Sequence, residues 1–91
     1  MVYSLFYHPD IQKDIERLPN NTKEQIRCAI EGRLLQDPVH YGDPLRKTLK
    51  GYRKLRVGDY RVIYKIAANK INVLKIGHRK EAYTKVFQRM G

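Results

Sequence analysis

Residues 52–64 read YRKLRVGDYRVIY. Two runs rich in β-branched and aromatic residues flank Gly58-Asp59. A Gly-first two-residue loop suits a type II′ turn, whose twist matches that of the strands on either side. The stretch therefore reads as a β-hairpin with strands over 52–57 and 60–67. The loop sets the register. Val57 faces Tyr60, Arg56 faces Arg61, Leu55 faces Val62, Lys54 faces Ile63, and Arg53 faces Tyr64. Successive side chains alternate between faces, and opposed residues share one. One face then gathers Leu55, Val57, Tyr60, Val62 and Tyr64, with Arg53 towards its edge, and this is a core face. The other gathers Lys54, Arg56, Arg61 and Lys65, with Tyr52 and Ile63 among them. Arg56 opposite Arg61 is a like-charge pair, which weakens a sheet. A face selected only for solubility would mix acids among these cations, and none is available here. An anionic ligand is expected on it.

The charge outside the hairpin points the same way. The formal net charge is +10 over 91 residues. Up to residue 43 there are five Lys/Arg against seven Asp/Glu, a net of −2; from residue 44 onward there are fourteen against two, Asp59 and Glu81, a net of +12. A basic protein tuned only for solubility would spread its charge; this one concentrates it, as a polyanion-binding surface does. The length suits one small domain, 1–91, with one modest core, and a hydrophobic content of 42% suits a folded chain. No apolar run approaches a membrane span and no secretory signal is visible, so a cytoplasmic setting without membrane contact is expected. Cys28 is the only cysteine, which excludes a disulfide within the chain. Its spacing places it on a helix as an inert, partly buried thiol.

Residues 2–7, VYSLFY, read as a first strand. His8-Pro9-Asp10 opens a helix with the stripe Ile11, Ile15, Leu18. Pro19-Asn20 ends it. Asn21 is expected to cap a second helix with Glu24 as its capping-box partner. Ile26, Ala29, Ile30 and Leu34 trace that helix's stripe, broken only by Arg33. Asp37-Pro38 stops it, and the short turn between the helices implies an αα-hairpin. Residues 39–50 read as an irregular connector, polar or basic at 46–48, anchored by Leu45 and Leu49. Residues 71–76, INVLKI, form the last strand, of unfixed parity, after a loop of two to four residues. Gly77 lets the chain turn. Tyr83, Val86, Phe87 and Met90 make residues 80–89 a short amphipathic helix. Early helices and late strands give an α+β fold: an N-terminal strand, a helical hairpin, a three-stranded antiparallel meander and a short C-terminal helix. The expected sheet has four strands with helices packed on one face.

The residue inventory narrows the chemistry. His8, His40 and His78 are far apart and no metal-ligand spacing occurs, so no metal or other cofactor is expected. There is no phosphate loop, nucleophile elbow or carboxylate pair. What remains is the cationic strand face, the His78-Arg79-Lys80 triplet and the tyrosines. RNA brings its own nucleophile, the 2′-hydroxyl; cleavage needs a base, cations around the pentavalent phosphate, and an acid for the leaving oxygen. Arg forks match phosphate. Lys54, set among other cations, is a candidate base. Tyr83 or Tyr52 can stack on an exposed base. Plainer roles stay open: solvated Lys54 and Lys65, strand-end capping by His78 and Arg79, and a core place for Tyr83. The residues alone point to nucleic-acid binding, with cleavage as one use of it.

The strings LKGYRKLRVGDYRVIYKI (residues 49–66) and VLKIGHRKEAYTKV (residues 73–86) resemble the RelE branch of the RelE/ParE toxin superfamily, and the resemblance extends over nearly the whole chain. It implies a toxin of a type II toxin–antitoxin pair: a metal-independent endoribonuclease, an mRNA interferase, that cleaves mRNA in the ribosomal A site and so inhibits translation. It also implies neutralisation by a cognate antitoxin and ribosomal RNA contacts through the basic face. By resemblance, Lys54 is the base or charge stabiliser and Arg61 holds the scissile phosphate. Arg79 stabilises the transition state or donates a proton, and Tyr83 stacks on or orients the nucleotide. Arg56 is a further phosphate contact. His78 is positioned to share the acid or base role. Arg53, Tyr52, Lys65 and Lys80 complete the set expected to touch RNA. Tyr52 stands where the family's best-studied toxin carries a second lysine.

Two other functions fit the same pattern: a ParE-like inhibitor of DNA gyrase, which needs no Lys/Arg/Tyr constellation, and a non-catalytic nucleic-acid-binding module. All three share one consequence of the charge. Affinity for single-stranded RNA, measured by fluorescence anisotropy, is expected to fall about tenfold or more between about 50 and about 200 mM salt. Affinity unchanged over that range would contradict a polyanion-binding surface.

Overall fold

The hairpin forms as its loop demands. The computed structural model describes residues 2–46 and 49–89. Gly58 has φ +59°, and Asp59 is not among the positive-φ residues, so only the first loop position is left-handed, as a type II′ turn requires. Strands β3 (Arg53–Val57) and β4 (Tyr60–Ala67) pair antiparallel in the predicted register, from Val57 opposite Tyr60 to Arg53 opposite Tyr64. The next loop is Ala68-Asn69, with Ala68 at φ +56°, and it leads into β5 (Lys70–His78).

β5 is longer than predicted and irregular. Its register against β4 shifts between Ile63 and Tyr64, which face Lys75 and Val73, so Leu74 is the extra residue of a β-bulge. The bulge explains why Ile71, Val73 and Ile76 share one face despite their uneven spacing. Gly77 does not turn the chain. It lies buried within β5, opposite Arg61.

β1 (Ser4–Tyr7) joins β5 in parallel, and β2 (Asp43–Pro44), two residues long, joins β3. The sheet order is β1-β5-β4-β3-β2. The α+β class and element order stand; the fifth strand is this short addition at the edge.

On one face lie α1 (Ile11–Glu16) and α2 (Asn20–Ala29), which continues as a π-helical turn, Ile30–Leu34. Ile11, Leu18, Ile26, Ala29, Ile30 and Leu34 pack with Leu55, Val62, Tyr64, Ile71, Val73 and Ile76. Pro19, rather than Asn21, holds the N-cap of α2 and makes no side-chain cap; Glu24 pairs with Arg27 instead. Arg33 remains exposed, and so does Cys28, against the expectation of a partly buried thiol. Within the expected connector a short helix forms, α3 (Pro38–Tyr41), because Asp37 Oδ1 accepts the His40 N–H at 3.1 Å and Pro38 is preset for a first turn. Leu49 is buried and Leu45 partly so, as anchors should be; Lys47 and Thr48 lie outside the described residues.

α3 and β2 are latched to the sheet. The Tyr64 hydroxyl, fully buried, donates to Pro38 O at 2.6 Å. A Cβ on Gly42 would sit 1.6 Å from the Tyr64 hydroxyl oxygen, so only glycine fits there. Burial raises the Tyr64 phenol above its usual range, although the Arg53 guanidinium pulls against it.

The opposite face is covered as well, which departs from helices on one side only. α4 (Arg79–Lys85) and the 3₁₀ turn Val86–Arg89 lie across it. Ala82 and Val86 pack on Ile63 and Leu49, with Leu45, Tyr52, Leu74 and Tyr83 around them. Ile63 is apolar among cations and needs that cover. The buried stripe of α4 is therefore Ala82 and Val86; Phe87 is 47% exposed, and Met90 lies outside the described residues. No helix among the described residues is long and apolar enough to cross a membrane.

The two layers meet at Asp14 on α1, whose side chain is 3% exposed. β1 stops pairing at Val73, and beyond it Asp14 Oδ2 accepts the Ile76 N–H at 3.0 Å. Lys75 Nζ donates to Oδ1 at 2.8 Å. Arg89 donates through Nη1 to Oδ2 at 2.5 Å and through Nη2 to Oδ1 at 2.9 Å. Burial pushes this carboxyl up; the hydrogen bonds from Arg89, Lys75 and Ile76 outweigh it and hold the carboxyl below its ordinary value. A depressed acid stabilises the fold above its unfolded pKa and ceases to as pH falls through the lower, folded one. Asp14→Asn leaves the buried Lys75 without its counter-charge and Arg89 with only Asp10, 4.0 Å away, so urea unfolding should show a loss of about 3–5 kcal/mol at neutral pH. The difference between wild type and variant should shrink as the pH is taken below about 4.

Candidate functional site

The pleat sorts the predicted site residues into two groups. Arg56 and Arg61 face each other across the hairpin, and Gly77 flanks Arg61 on β5. Lys54, opposite Ile63, shares their face. Arg61 is only 7% exposed. Its Nη1 donates to Gly58 O at 2.9 Å and Tyr60 O at 2.8 Å, so its head is folded back onto the turn. Those carbonyls carry the partial negative charge that lets it sit opposite another arginine. Arg56, by contrast, is exposed.

α4 starts at the same turn. The Arg79 N–H donates to Asp59 O at 2.8 Å, which ties the first helical residue to the hairpin tip. From there α4 runs back across β4 and β5, antiparallel to β5, with Tyr83 reaching Lys54 on β3. Arg79 and Tyr83 are one helical turn apart on one flank, about 6 Å along the axis. Lys54 and Arg56 are two residues apart on one strand face, roughly 7 Å. The two rows therefore keep step. Lys54 Nζ lies 5.7 Å from the Tyr83 ring centroid, a cation–π contact. Arg56 and Arg79 occupy the other end, by the turn.

The result is a shallow cleft. Lys54 and Arg56 form one wall, Tyr83 and Arg79 the other, with Arg61 and Ile63 beneath. It is a double row of groups rather than a cavity. An open groove of about 720 Å³ beside α2 takes in Arg56 but none of Lys54, Arg61, Arg79 and Tyr83. Further along the face, Lys65 Nζ lies 5.5 Å from the Tyr52 ring centroid, extending the alternation of cation and aromatic. Such an array can hold phosphates by charge and bases by stacking. Among the described residues, no three His, Cys, Asp or Glu side chains come together as a metal site would need.

Three expected members stand elsewhere. Arg53 lies on the opposite face, where its Nη2 donates to Val39 O at 2.7 Å and Gly42 O at 2.8 Å, fastening α3 and β2. Alternation from Lys54 requires this. His78 pairs with Tyr60 and so faces the helical-hairpin side; their rings meet edge-on at 5.9 Å. Its Nδ1 caps α4 through the Lys80 N–H at 3.5 Å. The bulge at Leu74 sets this parity, and the strand run alone did not reveal it. Lys80 is exposed, about 100° around the helix from Arg79 and away from the cleft. The residues missed in the sequence are Asp14, Lys75 and Arg89. They lie up to 75 positions apart, and only the apolar neighbours of Lys75 hinted that it is buried.

Comparison with known proteins agrees with this architecture. The sequence pattern of the family described as ParE toxin of type II toxin–antitoxin system, parDE, matches residues 5–83. Toxin RelE of Mycobacterium tuberculosis is 34% identical over 73 residues, covering 78% of this chain and 75% of that protein. Toxin RelG of the same organism is 28% identical over 85 residues, covering 91% and 98%. The crystal structure of the toxin–antitoxin complex RelBE2 from M. tuberculosis contains a chain that superimposes with a TM-score of 0.81 at 27% identity, covering 87% of this chain and 100% of that one.

The two groups of arginines are expected to fail differently. Arg56→Ala and Arg79→Ala should each weaken RNA binding several-fold with little change in Tm, since exposed cations add little to stability. Arg53→Ala should lower stability by about 1–3 kcal/mol by removing its bonds to the exposed Val39 and part-buried Gly42 carbonyls, with RNA affinity nearly unchanged. Thermal melts beside anisotropy titrations check both.

Proposed function

The chain belongs to the RelE/ParE superfamily of type II toxin–antitoxin toxins, and on that footing we propose that it is a ribosome-dependent endoribonuclease that cleaves mRNA in the A site and is neutralised by a cognate antitoxin. One toxin domain over 1–91 suffices for this. The observation that carries the reading is the contact of Lys54 on β3 with Tyr83 on α4, on the face that also carries Arg56 and the turn-locked Arg61, with α4 tied to the hairpin tip at Arg79. A gyrase-binding poison has no need of such a set. The relative solved as a complex with its antitoxin supports an antitoxin partner here.

The chemistry follows from the placement. The 2′-hydroxyl gives up its proton as its oxygen attacks the adjacent phosphorus, the bond to the 5′-oxygen breaks, and that oxygen takes a proton from Arg79 or water, leaving a cyclic phosphate and a free 5′-hydroxyl. Two negative charges gather on the phosphorane, and cations fixed in advance stabilise them without reorganising. Arg61 is the pre-ordered one, because its turn contacts hold it before substrate arrives. Arg79 and Arg56 approach from the two walls. Tyr83 stacks on the nucleotide base and fixes the attack angle. Lys54, beside the Tyr83 ring, is the group nearest the stacked nucleotide and serves its 2′-hydroxyl. The ribosome supplies the remaining alignment of the message.

A second reading has one specific observation behind it: the matching family is described by its ParE member. Mapping mRNA 5′ ends after induction, beside a gyrase supercoiling assay, separates the two. The expected outcome is new 5′ ends within translated codons and unaffected supercoiling. Arg79→Ala should reduce cleavage about a hundredfold or more, in the range seen for a lost transition-state donor. Intact message with inhibited gyrase would replace the nuclease reading with the ParE-like one. Intact message, active gyrase and no growth arrest would leave a binding module.

A further inference from the structure

We infer that Asp14, Lys75 and Arg89 form a positioning clasp that holds Arg79 and Tyr83 in step with Lys54 and Arg56. This rests on the nuclease reading of the cleft and adds three residues that lie outside it.

The segment from Arg79 to Arg89 carries one whole wall of the cleft, yet little apolar surface docks it. Ala82 and Val86 are its buried side chains among the described residues, and both are small. The apolar area these two bury, even with the partly buried Tyr83 ring beside them, is small against the cost of ordering the whole segment. Polar contacts at the two ends therefore decide whether the segment stays down. At the start there is the Arg79 N–H to Asp59 O. At the end there is the Arg89 fork on Asp14, with Arg89 Nη1 also on Leu74 O at 3.1 Å.

The anchor has no slack. Asp14 is fixed to β5 by the Ile76 N–H and by Lys75. β5 pairs along its length with β4, which carries Arg61 and Ile63. The fork on Asp14 thus sets the helix against the strand that floors the cleft. A purely structural role for the carboxylate would need only one cation, and Lys75 already supplies it. Arg89 is the second cation, and it comes from the segment to be positioned. Asp10 Oδ2, 4.0 Å from Arg89 Nε, adds to the pull.

The test uses the full chain with Arg89→Gln and the conservative Arg89→Lys. Asp14 keeps Lys75 and Ile76 in both. Native-state hydrogen exchange should show the α4 amides exchanging about tenfold faster or more in Arg89→Gln, with β4 and β5 amides unchanged. Single-turnover cleavage on mRNA-programmed ribosomes should fall about tenfold or more in rate at saturation, with the half-saturating concentration within about threefold of wild type. Arg89→Lys should recover part of both. Unchanged α4 exchange in Arg89→Gln overturns the clasp, whatever the activity. So does loss of protection throughout the sheet, which would make Arg89 a general stability residue. So does faster α4 exchange with undiminished cleavage. If wild type does not cleave at all, the nuclease reading fails on its own, and the exchange data still decide whether Arg89 holds the helix.

Discussion

A glycine in the left-handed region at position 58 decides where every side chain of the two central strands points. Because side chains alternate, a slip of one residue at that turn would exchange Leu55, Val62 and Tyr64 with Lys54, Arg61 and Ile63. The helical hairpin would then meet cations, and α4 would meet the core. The turn must also tolerate what it brings together, two arginines in direct opposition. It does so with its own backbone. Arg61 is neutralised in part by the carbonyls of Gly58 and Tyr60, so the feature that creates the conflict also relieves it. The same turn lends the Asp59 carbonyl to α4. Register, charge tolerance and the start of the second cleft wall therefore come from one two-residue loop.

The sheet is covered unequally. The helical-hairpin side buries a continuous set of branched aliphatic residues around Tyr64. The other side buries a small cluster about Ile63. This asymmetry keeps cations accessible: a fully apolar cover over the second face would bury Lys54 and Arg56 at a cost no partner on that face offsets. A narrow helix with alanine at its contact point covers Ile63 and leaves the flanking cations at its edge. Such a cover buries little apolar area, and the Asp14 contacts that hold its far end lie outside the cationic face.

The hairpin, its facing pairs and the sorting of its two faces were legible because they follow from contacts close in sequence and a period of two. The cationic strand face was legible to the same extent, since Lys54, Arg56 and Arg61 belong to that hairpin. Features set by distant contacts were not. In INVLKI the apolar spacing of two and then three marks a bulge, but a strand read alone cannot say which residue is extra. His78, expected to share the acid or base role beside Arg79, stands on the other face, opposite Tyr60. Asp14 was not singled out, because nothing nearby in sequence shows that β1 ends short and leaves the Ile76 N–H to be met. Arg53 was seen at the edge of the core face, yet its partners lie in a short helix and the glycine that ends it, which the proline- and glycine-marked connector did not suggest. Tyr83 carried both signals, apolar stripe and ligand contact, and the structure places it partly buried under Lys54.

The basic residues of the second half divide by partner rather than by type. Arg53, Arg61, Lys75 and Arg89 are held by carbonyls or by Asp14. Each brings positive charge inside the fold where backbone or carboxylate oxygen already meets it. Lys54 is held more loosely, against an aromatic face, and Arg56 and Arg79 present exposed side chains. These three satisfy no demand of the fold, and their mutual repulsion opposes it. Cations placed side by side without internal partners are stabilised by whatever anion arrives, and the gain on binding grows with the repulsion it removes. The fold thus matches with its own oxygen atoms the cations that hold its shape, Arg61 among them, and leaves Lys54, Arg56 and Arg79 without an internal counter-charge.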